Sequence, residues 1–107
     1  MAFRVEESSL ELVRCLRDLL PRIGRADEDL SRQIRRAASS VVLNLAEGNA
    51  RAGKDRLHCF RIARGSAHEV RAGLRLATAW GYVQNTAVEQ PLTIAKEVIA
   101  MLGALVR

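Results

Sequence analysis

The chain has 107 residues, of which 49% are hydrophobic and 27% charged, and its formal net charge is +5. That length suffices for one domain with a single core, and the composition is too apolar for a disordered chain. Aromatic residues make up only 4%, so the predicted core is aliphatic and rich in alanine. Alanine and leucine favour helices, and no alternating run of β-branched residues indicates a strand. The sequence therefore predicts one all-α domain over residues 1–107.

The positive charge is concentrated in the middle of the chain. Residues 32–75 hold ten Lys or Arg and only three acids. Such an imbalance favours a polyanionic partner, nucleic acid first, with an acidic protein or a membrane surface behind it. No apolar run approaches the length of a membrane span, and the first residues lack the apolar segment of a signal peptide. We therefore expect a cytoplasmic protein without membrane association.

The first predicted helix begins near Ser8 or Ser9, since either hydroxyl could cap it. Its apolar stripe comprises Leu12, Leu16, Leu19 and Ile23, widened by Val13 and Leu20. Pro21 is expected to end this helix or to kink its last turn, because proline removes a backbone donor. Gly24 is the predicted stop.

The second predicted helix starts at Asp27, where three acids in succession favour a helix N-terminus. Its apolar face comprises Leu30, Ile34, Ala37, Ala38, Val41, Val42 and Leu45. Gly48 is the predicted stop, and the glycine-rich link GNARAGK follows it. A link that short requires the next helix to be an antiparallel neighbour.

The third predicted helix runs from Lys54 to Trp80, is ended by Gly81, and carries two packing stripes. The first is apolar and comprises Phe60, Ala63, Ala67, Val70, Leu74 and Ala77. The second is mixed and comprises Ile62, Ser66, Glu69, Gly73, Leu76 and Trp80. Two such stripes fit either a well-wrapped central helix or a subunit interface.

A third stripe of the same helix is almost wholly basic. It comprises Arg61, Arg64, His68, Arg71 and Arg75, and we call it the basic stripe. Arginine forks match phosphate oxygens, and the stripe spans about 20 Å, the reach of several phosphates of one strand. Further basic residues could extend this nucleic-acid-binding surface, namely Arg32, Arg35, Arg36, Arg51 and Lys54. The alternative is a solvated charged face with His68 as a plain surface residue, but the stripe contains no acid to balance it.

The fourth predicted helix covers about residues 86–106. Thr86 and Glu89 have the spacing of a capping box, but Pro91 removes a backbone hydrogen bond just beyond them. The helix is therefore either kinked early or begins at Pro91 with Gln90 as a poor cap. Its core face comprises Val88, Ala95, Val98, Ile99, Leu102 and Leu105. Four helices with short links predict an antiparallel up-and-down four-helix bundle.

Motifs for catalysis, cofactors or metals are missing from the sequence. There is no phosphate loop, HExxH or GxSxG pattern, and neither His58 nor His68 follows a Glu by three residues. Glu47 and Glu69 could act as an acid–base pair only in a pocket; as structural residues we expect each to be hydrogen-bonded or ion-paired near Arg35, Arg36 or Asn44. We predict no enzyme, no metal and no cofactor.

The cysteines, Cys15 and Cys59, are predicted to be small buried hydrophobic residues in a reducing compartment. A disulfide between them is the weaker alternative.

Three blocks of the sequence resemble a known family. QIRRAASSVVLNLAEGNAR (residues 33–51), FRIARGSAHEV (residues 60–70) and AWGYV (residues 79–83) are similar to the bacterial four-helix-bundle family whose founding members are encoded in intervening sequences of 23S ribosomal RNA genes. The accessory variability determinant proteins of diversity-generating retroelements are similar to the same family. The resemblance covers nearly the whole chain.

The resemblance implies an antiparallel four-helix protomer, a ring-like homopentamer and a basic surface. In the retroelement branch it implies binding to nucleic acid and to a reverse transcriptase. The matching signature residues have a structural role in this interpretation, on buried helix faces or helix ends; they are Arg35, Arg36, Asn44, Glu47, Gly48, Arg51, Gly65, Ser66 and Glu69. Pro91 and the arginine-rich third helix depart from the family pattern.

Two functions follow as hypotheses. The first is a non-catalytic oligomeric bundle that binds nucleic acid, structured RNA ahead of DNA, through backbone phosphates. The second is a protein–protein adaptor whose basic stripe docks an acidic partner such as a reverse transcriptase.

Overall fold

The computed structural model describes the backbone of residues 2–107 and the side chains of residues 4–107; Met1, which the predicted domain includes, lies outside them. The described residues form four helices, which are α1 (Ala2–Ala26), α2 (Glu28–Asn49), α3 (Gly53–Ala79) and α4 (Asn85–Leu105). Each helix packs on the next and α4 packs on α1, in a body of 43 × 21 × 19 Å. The predicted antiparallel four-helix bundle is confirmed.

The core is aliphatic, as the composition predicts, and consists of two clusters along the bundle. One is centred on Leu16, Ile23 and Leu74, and the other on Leu45, Phe60 and Leu102. The apolar stripe of α3 is buried over its whole length. Its alanines leave room for the larger side chains of the neighbouring helices, so α3 approaches them closely.

Helix α1 begins well before the predicted start at Ser8 or Ser9. Ser9 is fully buried, and its hydroxyl donates to the carbonyl of Glu6 within the same helix, at 2.8 Å. Because the Ser9 hydroxyl is hydrogen-bonded inside the helix, Ser9 does not act as the N-cap. Val5, also fully buried, extends the apolar stripe by a further turn, and this burial stabilises the added residues.

Pro21 and Gly24 do not end α1, which continues to Ala26. Pro21 lies on the exposed side of the helix, so the carbonyl that loses its partner is open to water rather than buried. Just inside, the Ser31 hydroxyl of α2 donates to the buried carbonyl of Leu20 at 3.0 Å. This hydrogen bond ties the last turns of α1 to α2.

A side chain caps the N-terminus of α2, and the helix extends beyond its predicted stop. The Asp27 carboxylate accepts from the backbone N–H of Leu30 at 2.9 Å, so Asp27 is the N-cap that the acidic run predicts. The helix passes through Gly48 and ends one residue later at Asn49. Gly48 is therefore inside the helix rather than at its stop, and the connection to α3 is only residues 50–52.

Helix α3 ends where the sequence predicts. Gly81 has φ +81, and the N–H groups of Gly81 and Tyr82 donate to the carbonyls of Thr78 and Ala77. This is the Schellman arrangement, in which a residue in the left-handed region satisfies the last carbonyls. Glycine adopts that φ without steric cost.

Helix α4 begins at Asn85 and contains Pro91, which is buried. The prediction of a start at Pro91 with Gln90 as cap is wrong. The capping box of Thr86 and Glu89 does not form either, since the N-cap is Gln84 and its side chain makes no capping bond. Burial of the Pro91 ring against the bundle offsets the lost backbone hydrogen bond.

Glycine and serine residues let α2 and α3 approach closely. A Cβ at Gly48 would lie 2.6 Å from the Phe60 ring, and one at Gly73 would lie 2.6 Å from Cγ1 of Ile34. Between them the Ser66 hydroxyl donates to the Ser40 hydroxyl at 2.8 Å. These contacts fix the antiparallel register of the two helices.

Candidate nucleic-acid interface

The basic stripe is fully displayed on α3. All five of its side chains are exposed, and three of them line one shallow depression together with Gly65. Lys54 lies two helical turns before Arg61 and is exposed on the same side, so it extends the stripe. The stripe is therefore a continuous cationic edge of the bundle.

The stripe borders α4. The Arg64 guanidinium lies over the backbone of Gly103, where a Cβ would be 3.7 Å from its central carbon. Lys96 precedes Gly103 by two helical turns, so it shares this flank of α4 and is exposed there. Sequence reasoning missed Lys96, because only the register of α3 and α4 shows which face of α4 meets the stripe. Glu89, two turns earlier still, places one acid near the far end of the flank.

Ion pairing distinguishes the stripe from four other arginines, which are Arg14, Arg17, Arg32 and Arg51. Several exposed arginines elsewhere pair with acids nearby on the same helix, as in Arg14–Glu11 at 3.0 Å and Arg32–Glu28 at 3.1 Å. Among the ion pairs within residues 4–107, none involves a residue of the stripe. Its charge is therefore not offset by a close acid.

The other predicted binding residues are distributed around the molecule. Arg51 pairs with Glu47 at 2.8 Å, and this hydrogen bond raises the pKa of the Arg51 guanidinium above its usual value. Arg32 is likewise paired with acids. Arg35 lies in the groove between α1 and α2, while Arg36 lies in the groove between α2 and α3. The structure does not bring these residues onto the edge that carries the stripe.

Arg56 has a structural role that sequence reasoning did not identify. Its Nε donates to the carbonyls of Gly48 and Arg51, at 3.1 and 2.8 Å, and a terminal nitrogen donates to the carbonyl of Asn49. These carbonyls lie at the end of α2 and in the link that follows, and the Gly48 carbonyl also accepts from the backbone N–H of Arg51. Arg56 therefore acts as a C-terminal cap of α2 from the first turn of α3. The sequence contains one signal for this role, which is that Arg56 follows shortly after a helix end and a glycine.

The family signature residues have varied surroundings. Gly48 is buried and Ser66 half-buried, both at the contact of α2 and α3. The half-buried Asn44 amide donates to the carbonyl and hydroxyl of Ser40, at 2.9 and 3.1 Å. Gly65 and Glu69, in contrast, are exposed. Only part of the signature is therefore explained by packing within one chain.

The carboxylates weighed as an acid–base pair are both exposed and lie apart. Glu47 pairs with Arg51, whereas Glu69 lies beside Arg36, Ser40 and Ser66 and forms no ion pair within the described residues. The expectation that Glu69 is hydrogen-bonded or ion-paired is therefore not met within the described residues of one chain. No group of three or more potential metal ligands occurs in the described part of the chain.

The cysteines are both free thiols. Cys59 is buried as predicted, but Cys15 is partly exposed in the groove between α1 and α4. Partial burial, followed by the charges of Glu11 and Asp18, raises the pKa of the Cys15 thiol. No helix within the described residues combines the length and the apolar character needed to cross a membrane.

Comparison with known proteins places the chain in a family. A sequence model described as 23S rRNA-intervening sequence protein matches residues 3–104. The chain belongs to this family. The resemblance predicted from the three sequence blocks is thereby confirmed.

A solved structure has the same fold. It is a protein of unknown function from the S23 ribosomal protein family of Bacteroides thetaiotaomicron, with a TM-score of 0.86 and 21% sequence identity, over 96% of this chain and 98% of that chain. At that identity the likeness shows the fold alone. No curated protein is significantly similar to this member of the 23S rRNA-intervening sequence family.

Proposed function

We propose that this protein is a non-catalytic, oligomeric helical bundle of the cytoplasm that binds nucleic acid, structured RNA ahead of duplex DNA, through backbone phosphates. The observation that carries the proposal is the basic stripe, whose arginines are exposed and have no acidic partner within the described residues. An unpaired guanidinium keeps its planar fork of donors available for phosphate oxygens. The preference for RNA rests on the family description alone.

The length of the basic stripe supports contact with a strand rather than with a single anion. Arg61, Arg64, Arg71 and Arg75 succeed one another over about 20 Å along α3. Lys96 is exposed on the adjoining flank of α4, and the Arg64 guanidinium lies over the bare backbone of Gly103. A sugar–phosphate backbone that runs along α3 can therefore meet four arginines in succession, with Lys96 as one further cation beside them. Such contacts carry no sequence information, so binding depends steeply on salt and weakly on sequence.

An oligomer would multiply this surface. If several copies assemble, as the family resemblance to pentameric rings implies, each presents its own basic stripe to one nucleic acid. Contacts after the first then form at a high effective concentration, and affinity rises without any new kind of contact.

The test is a fluorescence-anisotropy titration against a labelled structured RNA and a duplex DNA, at low and near-physiological salt. Arg64→Glu with Arg71→Glu is expected to weaken binding by at least about a hundredfold, since each change replaces an attractive charge by a repulsive one. The matched control is Arg17→Glu with Arg22→Glu on α1, which changes the net charge equally at exposed positions outside the stripe. The control keeps most of the wild-type affinity, and helical content by circular dichroism is unchanged in both.

Two results would overturn the proposal. Equal losses of affinity in the stripe variant and the control would mean that net charge, not the basic stripe, attracts the nucleic acid. Wild-type protein that binds neither nucleic acid at low salt would leave the stripe as a docking face for an acidic protein, such as a reverse transcriptase, and affinity purification would then look for that partner.

A further inference from the structure

The large hydrophobic side chains that remain exposed all lie on one side of the bundle. Among the described residues they are Leu43 at 67% exposure, Ile62 at 40%, Leu76 at 45% and Trp80 at 66%. Leu43 belongs to α2 and the other three to the mixed stripe of α3. Exposed apolar groups on a single face mark a surface that another molecule covers.

The register of α2 and α3 makes these side chains neighbours. The Ser40–Ser66 hydrogen bond fixes the pairing, so Leu43, one turn further along α2, lies level with Ile62 on the antiparallel α3. Leu76 and Trp80 lie on the same side of α3, up to about 27 Å from Ile62. We call this surface the outer α2–α3 face.

Two opposite charges lie in the middle of the outer α2–α3 face. Arg36 and Glu69 border one groove together with Ser40 and Ser66, and both are exposed. Within the described residues neither forms an ion pair, although Arg14, Arg32 and Arg51 each pair with an acid close by. One chain therefore presents an available cation and an available anion, flanked by apolar side chains at both ends.

A surface of that composition fits a second copy of this chain. Nucleic acid is a poor occupant, because the face is largely apolar and Glu69 repels phosphate. A second copy offers apolar groups of the same kind, and the carboxylate of one copy can meet the guanidinium of the next. Interface centres are typically formed by such aromatic and aliphatic anchors around a few charges.

We propose that copies of this chain associate through the outer α2–α3 face, with Arg36 of one copy paired to Glu69 of its neighbour. The proposal gives the oligomer of the proposed function its contact surface and rests on that part alone, not on nucleic-acid binding. The basic stripe lies on the opposite flank of α3, toward α4, and stays uncovered when the copies meet. Association and nucleic-acid binding therefore use different residues of one helix.

Sedimentation velocity over a concentration series tests the pair. Arg36→Glu places two acids at the contact and Glu69→Arg places two bases, so each variant alone is expected to associate at least about tenfold more weakly than wild type. An equimolar mixture of the two variants restores association, because the acid introduced in one chain meets the base introduced in the other. Mixing cannot repair a pair within one chain, so restoration locates the contact between copies.

The controls separate this contact from general charge and from folding. Arg35→Glu changes a neighbouring exposed arginine that faces α1 and is expected to leave association unchanged. Leu43→Gln replaces an exposed side chain, so it leaves the fold intact and weakens association without any change of charge. Circular dichroism of each variant checks the helical content.

Three results would overturn the proposal: a monomeric wild type across the concentration series, association unaffected by either charge reversal, or weakened variants that do not recover on mixing. The same samples titrated with labelled RNA report the proposed function separately. A monomer that still binds RNA with a steep salt dependence refutes this inference and leaves the binding function standing. An oligomer without RNA affinity refutes the proposed binding function and leaves this inference standing.

Discussion

Helix α3 has two flanks of opposite construction. Toward α2 it carries Gly73 and Ser66, which let the backbones approach until a Cβ would collide with Ile34. Toward α4 it carries long arginines, and the one that touches α4 lies across the bare backbone of Gly103. The first flank uses its small residues for contact within the chain. The second keeps large charged groups at the surface, where they contribute little to stability.

This contrast shows how one helix can separate packing from binding. Substitutions on the α2 flank should change the free energy of unfolding, because atoms there are in close contact. Substitutions on the basic stripe should change affinity and leave unfolding almost unaffected. Variants on each flank, and at the ends of the helices, test that separation.

Gly73→Ala should be the most damaging of these changes to the fold. Its new Cβ would lie 2.6 Å from Cγ1 of Ile34, and relief of such overpacking costs about 1–3 kcal/mol. The matched control is Gly65→Ala on the same helix, where nothing lies within 4 Å of the added atom. Alanine there should stabilise the helix by about 0.5–1 kcal/mol. Urea unfolding of both variants provides the measurement, and equal effects would show that α2 and α3 are not closely packed at Gly73.

Lys96→Glu should sharpen the description of the other flank. If Lys96 on α4 contributes to the binding surface beside the basic stripe, its loss should lower the salt dependence of RNA binding by about one unit of slope. Thermal unfolding should stay near that of the wild type, since the side chain is exposed. Lys54→Glu, at the outer end of the stripe, is the comparison. A slope unchanged by Lys96→Glu would confine the binding surface to α3.

Asp27→Ala should cost about 1 kcal/mol, the usual value of an N-cap, since the carboxylate accepts from the Leu30 N–H. Asp27→Asn keeps a capping oxygen and should recover most of that loss. Chemical denaturation of the two variants provides the measurement. If alanine and asparagine behaved alike, the cap would contribute nothing.

The smallest expected effect concerns the end of α3. Tyr82 donates its hydroxyl to Asp27 at 3.0 Å and stacks on Trp80, with ring centroids 6.4 Å apart. The hydrogen bond to Asp27, then burial, raises the pKa of the Tyr82 phenol. Because the folded state holds this proton more tightly, the contribution is complete below the unfolded value of about 10 and is lost as the pH rises through the raised pKa.

Wild type should therefore melt a few degrees above Tyr82→Phe near neutral pH, and the gap should close in strongly alkaline buffer. Melting curves of the two proteins across the alkaline range check this. A difference in melting temperature that persists or widens above the phenol pKa would mean that the hydrogen bond donated by the hydroxyl does not stabilise the fold.

Much of this organisation could be read from the sequence, for physical reasons. The apolar stripe of α3 repeats every three to four residues, and the glycine after it adopts the left-handed conformation that satisfies the last carbonyls. The N-terminal limit of α1 could not be read in the same way, whereas α4 begins one residue before the predicted start at about residue 86. Ser9 has the chemistry of a cap, but burial of Val5 and of Ser9 itself outweighs that local preference.

The candidate site was only half predictable. Spacing alone places the five residues of the basic stripe on one face, because a helix has a fixed period. The roles of Lys96 and Arg56 depend on which helices are neighbours and on the register between them. The periodicity of a single helix does not contain that information. The same holds for the grouping of Arg32, Arg35 and Arg36, whose side chains diverge around α2.

One measurement tests the separate roles of the two flanks of α3 most directly. It is sedimentation velocity of the Arg64→Glu, Arg71→Glu variant mixed with fluorescently labelled RNA, with protein and RNA followed at separate wavelengths. We expect a protein that sediments as the wild-type oligomer while the RNA sediments alone. A variant that lost its oligomeric mass together with the RNA, or that still carried the RNA, would contradict the separation of the two flanks.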